Sequence, residues 1–227
     1  MIIAIDGPSG AGKSTLGRMI ARALNLLYID TGAMYRAAAL AVIESGVSAA
    51  DEAAVVPVVE RAKINLEGEA DSLRVMLDGR DVSQLIRTEE VSHTSSVIST
   101  IPEVRRTLVH CQREMGERAL AGVVLDGRDI GTVVFPNADV KFFLTAAPEE
   151  RAHRRYEEDR EKKQDSVTFE ETLADINTRD ERDSTRDDSP LRIADDAIVI
   201  DSTELSIDGV FERMMEVIRE RQKGAQL

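Results

Sequence analysis

Near the beginning of the chain, glycine, lysine and serine follow one another in the spacing of a phosphate-binding loop. An apolar run, Ile2–Asp6, leads into a segment that fits the pattern G-x-x-x-x-G-K-[ST], and a helix-forming run continues to position 24. The loop residues are Gly7, Pro8, Ser9, Gly10, Ala11, Gly12, Lys13 and Ser14. Its backbone N–H groups can point at one anion, above the positive end of the following helix. We therefore expect Lys13 to reach the β- and γ-phosphates of a nucleoside triphosphate and Ser14 to ligate Mg²⁺.

A second group of charged residues follows the apolar run at 123–125. The pentad at 126–130 (D-G-R-D-I) is expected at the carboxyl edge of a parallel sheet, beside the phosphate loop. There Asp126 can orient Mg²⁺ or its waters, and Arg128 can neutralise a second phosphate group. A similar pentad at 78–82 lies between two strand-like runs and predicts only a hairpin turn.

Three more arginines share one face of a predicted helix. Arg179, Arg182 and Arg186 have helical spacing, with Asp183 beside them, provided that the helix extends that far. The guanidinium group matches phosphate oxygens in pairs and keeps its charge at working pH. Four nearby carboxylates could instead make this face a surface ion-pair lattice: Asp180, Glu181, Asp187 and Asp188.

Arg36 lies one helical turn beyond the apolar run that ends at Asp30, and we expect it to point at the same sheet edge. Together with Arg128, Arg179 and Arg186, it gives more arginines than one triphosphate needs. The sequence therefore predicts a second phosphorylated substrate.

A parallel sheet must position these side chains. Short apolar runs at 1–6, 26–30, 123–126, 140–144 and 197–201, most of them followed by helical patterns, predict five parallel strands covered by helices. Residues 63–67, 73–77 and 80–86 indicate three strands with a turn at Asp78-Gly79, and Pro102 opens a helix to about Leu120; these elements predict an inserted subdomain.

A charged segment at 149–189 contains a helix that Thr168 and Glu171 are expected to cap. Because its first part, 149–166, has few apolar anchors, we expect a mobile lid there.

Composition restricts the partners and the setting. The chain of 227 residues has 29 basic and 42 acidic residues, a net charge of −13 and 4% aromatic residues, which disfavours nucleic acid and anionic membranes as partners. No segment approaches the ~20 apolar residues of a membrane span. The single cysteine, Cys111, lies on an apolar helical stripe and is predicted to be a buried structural thiol. A reducing, cytoplasmic setting is expected, and His93, His110 and His153 are expected to be structural or solvated.

These motifs together resemble the bacterial type of the cytidylate kinase family, among the nucleoside-monophosphate kinases. The resemblance covers nearly the whole chain: the loop, 30–36 (D-T-G-A-M-Y-R), the three-stranded insert, 126–136 (D-G-R-D-I-G-T-V-V-F-P), 150–155, 179–186 and 201–203. It implies an α/β P-loop kinase fold, with a parallel five-stranded sheet flanked by helices, the insert and a helical lid. The expected single domain has a core of about 1–30, 118–148 and 190–227, a monophosphate-binding insert of about 31–117, and a lid and arginine-helix region of about 149–189.

The resemblance also implies a reaction, the transfer of a phosphoryl group from ATP with Mg²⁺ to CMP or dCMP. We expect the protein to be a monomer. Thr31, Arg36, Arg128 and Arg186 are expected to hold the α-phosphate of CMP. Ser96, Arg105 and Asp129 are expected to read the cytosine, and Arg179 with Asp183 to hold the sugar. The loop with Thr15, and lid arginines such as Arg151 and Arg155, would bind ATP, although Arg154 and Arg160 are also candidates. The expected catalytic residues are Lys13, Arg128, Asp129 and Arg186.

Two alternatives remain open. One is a P-loop kinase with another acceptor, such as UMP or a small hydroxylated metabolite. The other is a P-loop switch or an ATPase that handles nucleic acid, which the net charge of −13 and the scarcity of aromatic residues disfavour.

Overall fold

Eight strands and eight α-helices lie within the residues that the computed structural model describes, which are 1–161 and 168–224 without the side chains at positions 159 and 161. The strands are β1 (Ile2–Asp6), β2 (Leu27–Asp30), β3 (Ile64–Glu67), β4 (Arg74–Leu77), β5 (Arg80–Asp81), β6 (Val123–Gly127), β7 (Val140–Thr145) and β8 (Ile198–Asp201). The helices are α1 (Lys13–Leu24), α2 (Thr31–Glu44), α3 (Glu52–Arg61), α4 (Glu89–Ile98), α5 (Pro102–Glu117), α6 (Pro148–Glu161), α7 (Phe169–Thr185) and α8 (Ile207–Gly224). Positions 162–166 of the predicted lid lie outside the described residues.

Five strands form the predicted parallel sheet, in the order β2-β6-β1-β7-β8. Strand β1 pairs in parallel with β7, with Asp6 opposite Phe143, and β7 pairs in parallel with β8. Ile3, Ile5 and Leu144 are inaccessible to solvent, as expected where both faces of a parallel sheet are covered. The prediction of a five-stranded parallel sheet is confirmed.

The chain divides into two compact units, which are described separately below. The first unit comprises residues 1–20 and 126–227, and the second unit comprises residues 21–125. Among the described residues of both, no helix combines the length and the apolar character that crossing a bilayer requires.

In the first unit, the charged segment forms two packed helices, α6 and α7. The predicted capping box at the start of α7 is present, because Thr168 Oγ1 accepts from the Glu171 N–H and the Thr168 N–H donates to the Glu171 carboxylate. Tyr156 and Phe169 join the two helices by an edge-to-face ring contact. Helix α7 ends at Thr185, so Arg186 is its C-cap and not a further member of the helix.

In the second unit, β3, β4 and β5 form a small antiparallel sheet. The predicted hairpin turn is present, with Asp78 and Gly79 at φ of 51° and 81°. The predicted third strand is present, but it is shorter than expected: β5 stops at Asp81 and does not continue to position 86. The Asp81 carboxylate accepts from both the N–H and the hydroxyl of Ser83, and this local turn replaces the strand ladder before a 3₁₀ turn at Leu85–Arg87.

Helix α5 of the second unit ends at Glu117, three residues before the predicted end. Its Cys111 is half-buried and not fully buried as expected. Burial nevertheless raises the pKa of this thiol, in keeping with a structural residue.

Candidate active site

Two glycines explain how the phosphate loop fits between β1 and α1. A Cβ at Gly7 would lie 2.0 Å from the carbonyl oxygen of Leu144, so a side chain there would collide with the backbone of β7. Gly10 has φ +77°, a left-handed conformation that L side chains rarely adopt. The local backbone therefore requires glycine at these two motif positions.

Lys13 begins α1 and closes the loop. Its Nζ donates to the carbonyl oxygen of Pro8 at 2.6 Å, and the residue is only 6% exposed. Burial, and next the charge of Arg128, lower the pKa of Lys13 from 10.5 to about 7. The side chain is thus a desolvated cation at the mouth of an anion-binding loop, where a phosphate would restore its charge.

Ser14 and Asp126 meet as the sequence predicts. Ser14 Oγ donates to Asp126 Oδ2 at 2.7 Å, although the two residues are 112 positions apart. Asp126 is 4% exposed at the carboxyl end of β6. A hydroxyl and a carboxylate oxygen at this distance are the kind of hard ligands that Mg²⁺ prefers, so the donor set fits this ion.

Arg128 and Arg186 converge on one carboxylate, Asp183. Arg128 Nε donates to Asp183 Oδ2 at 2.7 Å, and Arg186 Nη1 lies 3.5 Å from Asp183 Oδ1. Burial raises the pKa of Asp183, but the two arginines outweigh this and hold the pKa below its ordinary value. We call these three residues the arginine pair and its carboxylate. The structure therefore brings together two of the predicted α-phosphate ligands.

Arg179 lies in the field of other cations. Burial lowers the pKa of Arg179 most, and Arg155 and Arg128 lower it further, while Asp175, 2.9 Å from Arg179 Nε, opposes them. Arg155 of α6 is therefore close enough to Arg179 of α7 to repel it. An anion bound beside these arginines would relieve that repulsion.

Two of the four candidate lid arginines bind other parts of the protein. Arg151, 3% exposed, donates to the carbonyl oxygens of Ala146 and Ser9 and pairs with Asp180 at 2.6 Å. Arg154 donates to the hydroxyl and the carbonyl oxygen of Ser202. Both anchor the first turns of α6. The sequence did not reveal these anchors, since an arginine's partner is set by the tertiary fold.

Asp129 precedes a π-helical turn, Ile130–Val134, and is 5% exposed. Its carbonyl oxygen accepts from the N–H groups of Val133 and Val134. Asp6, the last residue of β1, has no role in the site predicted from the sequence. It is 4% exposed, and its carboxylate accepts from the N–H groups of Ile130 and Gly131. The sequence signal that could have identified Asp6 is an aspartate at the end of a buried strand.

In the second unit, Asp30 organises the start of α2. Its Oδ1 accepts from the Ala33 N–H at 2.7 Å as the N-cap, and its Oδ2 lies 3.5 Å from Arg36 Nη2. Thr31, the first residue of α2, is buried, and the Arg36 side chain is 32% exposed. Arg36 is therefore held near the helix N-terminus, which itself favours anions.

Also in the second unit, Arg105 of α5 is almost fully buried, at 2% exposure. Its Nη1 donates to the carbonyl oxygen of Ser99 at 3.1 Å, and its guanidinium carbon lies 5.6 Å from the centre of the Tyr35 ring. Ser96 lies on α4, which packs against α2. The predicted cytosine readers of this unit are thus carried by α4 and α5, which both contact α2.

Residues 1–161 and 168–224 contain no cluster of three or more His, Cys, Asp and Glu side chains that could hold a metal ion. His110 and His153 are exposed and each lies near a glutamate one helical turn on, as expected for solvated residues.

The comparisons with known proteins agree with this geometry. The cytidylate kinase family model matches residues 3–220. The chain is 52% identical to a cytidylate kinase of Caldanaerobacter subterraneus subsp. tengcongensis, with 98% of this chain and 96% of that protein covered. A cytidylate kinase of Halalkalibacterium halodurans is 50% identical, with 97% of this chain and 98% of that protein covered.

In fold, the chain is similar to the crystal structure of an uncharacterised protein from Eubacterium ventriosum, with a TM-score of 0.52, 11% identity and coverage of 97% of this chain and 98% of that one. The family match spans nearly the whole sequence, including the phosphate loop and the arginine pair with its carboxylate. The chain belongs to the cytidylate kinase family.

Proposed function

We propose how this chain performs the reaction of its family, the transfer of a phosphoryl group from ATP to CMP or dCMP, giving ADP and CDP or dCDP. The observation that supports the proposal is the set of buried cations in the first unit. Lys13 is desolvated at the phosphate loop, and Arg128 contributes to lowering its pKa. One group of cations therefore serves the donor phosphates and a neighbouring group serves the acceptor.

On the donor side, the phosphate loop from Gly7 to Ser14, with Thr15, binds the phosphates of ATP, and Lys13 neutralises the β- and γ-phosphates. Ser14 and Asp126 would hold Mg²⁺, Asp126 directly or through water, and the ion would supply positive charge to the phosphates of ATP. Arg155, beside Arg179, is the better-placed lid arginine for ATP. The assignment of Arg151 to ATP stays a prediction, since its guanidinium group already binds Ser9, Ala146 and Asp180.

On the acceptor side, the roles follow charge and hydrogen-bonding chemistry. In the first unit, Arg128 and Arg186 bind the α-phosphate. The assignment of Thr31 and Arg36 to the same phosphate stays a prediction. Arg179 and Asp183 bind the sugar hydroxyls. Without an anion, Asp183 neutralises Arg128 and Arg186, so these arginines stay oriented before the phosphate arrives.

Asp129, Ser96 and Arg105 read the base. Cytosine has an exocyclic amino donor where uracil has a carbonyl acceptor, so the Asp129 carboxylate would accept from cytosine and repel uracil. A buried mismatch of this kind can discriminate by ~10⁴-fold. CMP would therefore be preferred over UMP.

The chemistry needs no protein nucleophile. The attacking atom is a phosphate oxygen that is already anionic, so positioning and charge neutralisation are the main requirements. Lys13, Arg128 and Arg186 supply positive charge to the transferring group, and closure of the lid over 149–166 excludes water that would otherwise hydrolyse ATP. A monomeric state, the domain boundaries given above and a cytoplasmic location stay predictions.

The test is the release of ADP from ATP and Mg²⁺ with CMP, dCMP, UMP and AMP in parallel. We expect rapid release with CMP or dCMP and little with UMP or AMP. A preference for UMP would favour the alternative kinase, and ADP release that is independent of any acceptor would favour the ATPase. The same assay without Mg²⁺ tests the metal requirement.

A further inference from the structure

Asp6, the last residue of β1, is a buried carboxylate that none of the roles above requires. Its Oδ1 accepts a hydrogen bond from the Ile130 N–H at 2.8 Å, and its Oδ2 accepts one from the Gly131 N–H at 2.7 Å. Both oxygens therefore bind consecutive amides of a segment that lies far along the chain.

These two amides open the π-helical turn that follows Asp129. The first N–H groups of a helical turn have no partner within the turn, and the Asp6 carboxylate supplies one to each of the two. A negative group is also the one that the N-terminus of a helical turn favours. The backbone directly after Asp129 is therefore held by the strand that leads into the phosphate loop.

The other end of the same segment is held by Lys141 of β7, which neighbours Ala4 of β1 in the sheet. Lys141 Nζ donates to the carbonyl oxygen of Pro136 at 2.6 Å and pairs with Asp196 at 2.7 Å. A Cβ at Gly131 would lie 3.0 Å from Lys141 Cδ and 3.3 Å from Asp6 Oδ2. The adjacent strands β1 and β7 thus hold the turn at both ends, and their side chains leave little room for a side chain at position 131.

The charge on Asp6 is retained at a cost. Burial, and to a lesser extent the charge of Asp129, raise the pKa of Asp6 to about 6, against the opposing effects of the two amide hydrogen bonds and of the charge of Lys13. Folding therefore works against this carboxylate at neutral pH. An apolar side chain would avoid that cost but would leave two buried amides without an acceptor. A carboxylate that is retained despite this cost is best explained by the position that it imposes on the amides of Ile130 and Gly131.

We propose that Asp6 is a positioning residue for recognition of the acceptor base. Asp6 fixes the backbone of the 130–134 turn, and the turn fixes the position of the Asp129 carboxylate. The inference rests on the proposed role of Asp129 in reading cytosine. The hydrogen bonds that the Asp6 carboxylate accepts come from the turn and not from the phosphate loop. Loss of Asp6 should therefore disturb the choice of acceptor more than the binding of ATP.

The test is Asp6→Asn, in which one amide keeps a carbonyl acceptor while the other faces an NH₂ group. We expect the ratio of kcat/KM for CMP to that for UMP to fall by about tenfold or more, since small displacements of binding groups are costly. The KM for ATP should change by less than about threefold. Asp139→Asn is the matched control: its carboxylate accepts from the Ile2 N–H at 2.6 Å, at the opposite end of β1, and the ratio should be unchanged.

Asp129→Ala serves as the reference. If it loses the CMP preference while Asp6→Asn lowers both kcat/KM values equally, the positioning role of Asp6 is overturned and the role of Asp129 stands. If Asp129→Ala keeps the preference, both proposals fail. Gly131→Ala covers the case in which Asp6→Asn does not fold, because its methyl group would press on the two side chains that hold the turn, Lys141 at 3.0 Å and the Asp6 carboxylate at 3.3 Å, while both charges stay in place. It should reduce the ratio by about threefold, and an unchanged ratio would overturn the inference.

Discussion

Lys13 is held in surroundings that oppose its charge, and this makes its effect on stability measurable. The side chain is buried against Pro8, and its pKa falls from 10.5 to about 7 through burial and the charge of Arg128. We expect Lys13→Met to abolish phosphoryl transfer and yet to raise the free energy of unfolding of the protein without nucleotide. Methionine fills a similar volume and carries no charge to desolvate.

The magnitude follows from the two pKa values. They differ by about 3.5 pKa units, and one pKa unit corresponds to about 1.36 kcal/mol. A charged Lys13 therefore lowers the free energy of unfolding by about 5 kcal/mol. Loss of the hydrogen bond to Pro8 offsets about 1 kcal/mol, and imperfect packing offsets more, so a net gain of about 2–3 kcal/mol is expected at pH 6.

The gain should depend on pH in a defined direction. Between pH 7 and 10.5 the unfolded chain binds the lysine proton and the folded chain does not, so this group makes the wild type more stable as pH rises. The advantage of Lys13→Met should therefore shrink by about 2–3 kcal/mol between pH 6 and pH 9. Below pH 7 both states bind the proton and the advantage should be constant.

Urea unfolding at pH 6 and pH 9, followed by circular dichroism, measures these differences, and the coupled ADP assay measures activity. Lys63→Met is the matched control, since Lys63 is exposed and the same substitution there should leave stability nearly unchanged. An inactive Lys13→Met protein that unfolds at the same or lower urea concentration than the wild type at pH 6 would refute the reasoning.

Three further predictions concern the acceptor side and the lid. Asp183→Asn should lower the free energy of unfolding by about 3 kcal/mol at pH 7 in urea titrations, because it removes the negative charge that faces Arg128 and Arg186, whereas the exposed Asp187→Asn should not. The pKa of Asp183 is lowered in the folded protein, so its contribution is present above the ordinary value of 3.8 and is lost as pH falls through the folded value; a constant difference at all pH values would contradict this. Asp129→Ala should lose the preference for CMP over UMP in steady-state kinetics, and unchanged selectivity would remove Asp129 from base reading. Amide hydrogen exchange in α6 should slow with a bisubstrate analogue only beyond Arg154, because Arg151 and Arg154 already anchor the first turns; equal protection with and without the analogue would exclude lid closure.

The elements that local sequence patterns specify were the ones predicted well. Each of the five strands lies within about one residue of its apolar run, because a strand buried on both faces needs a continuous apolar stretch. The capping box of Thr168 and Glu171 and the hairpin at Asp78-Gly79 depend on neighbours only a few residues apart. The third strand of the insert begins where predicted but ends at Asp81 and not at position 86, because the apolar residues there do not reveal that Asp81 turns the chain through Ser83.

The phosphate loop shows how far a motif can determine a site. Its spacing fixed the loop conformation, the start of α1 and the position of Lys13, since all three depend on glycines and a helix N-terminus within eight residues. The meeting of Ser14 and Asp126 could also be expected, because parallel strands present their carboxyl ends at one edge.

The electrostatic partners of the arginines could not be read from the sequence. Arg186 faces Asp183, three positions away along the chain, but Arg128 and Arg151 pair with carboxylates of α7 that lie far from them in sequence, and only the tertiary structure of the first unit decided which ones. The same holds for Asp6, whose two amide partners lie more than 120 positions away. The sequence by itself determined the strands, the phosphate loop and the family, because those are written in local spacing. Only the tertiary structure decided which buried charges compensate one another, because a charge pairs with whatever lies within a few ångströms, and that distance does not depend on separation along the chain.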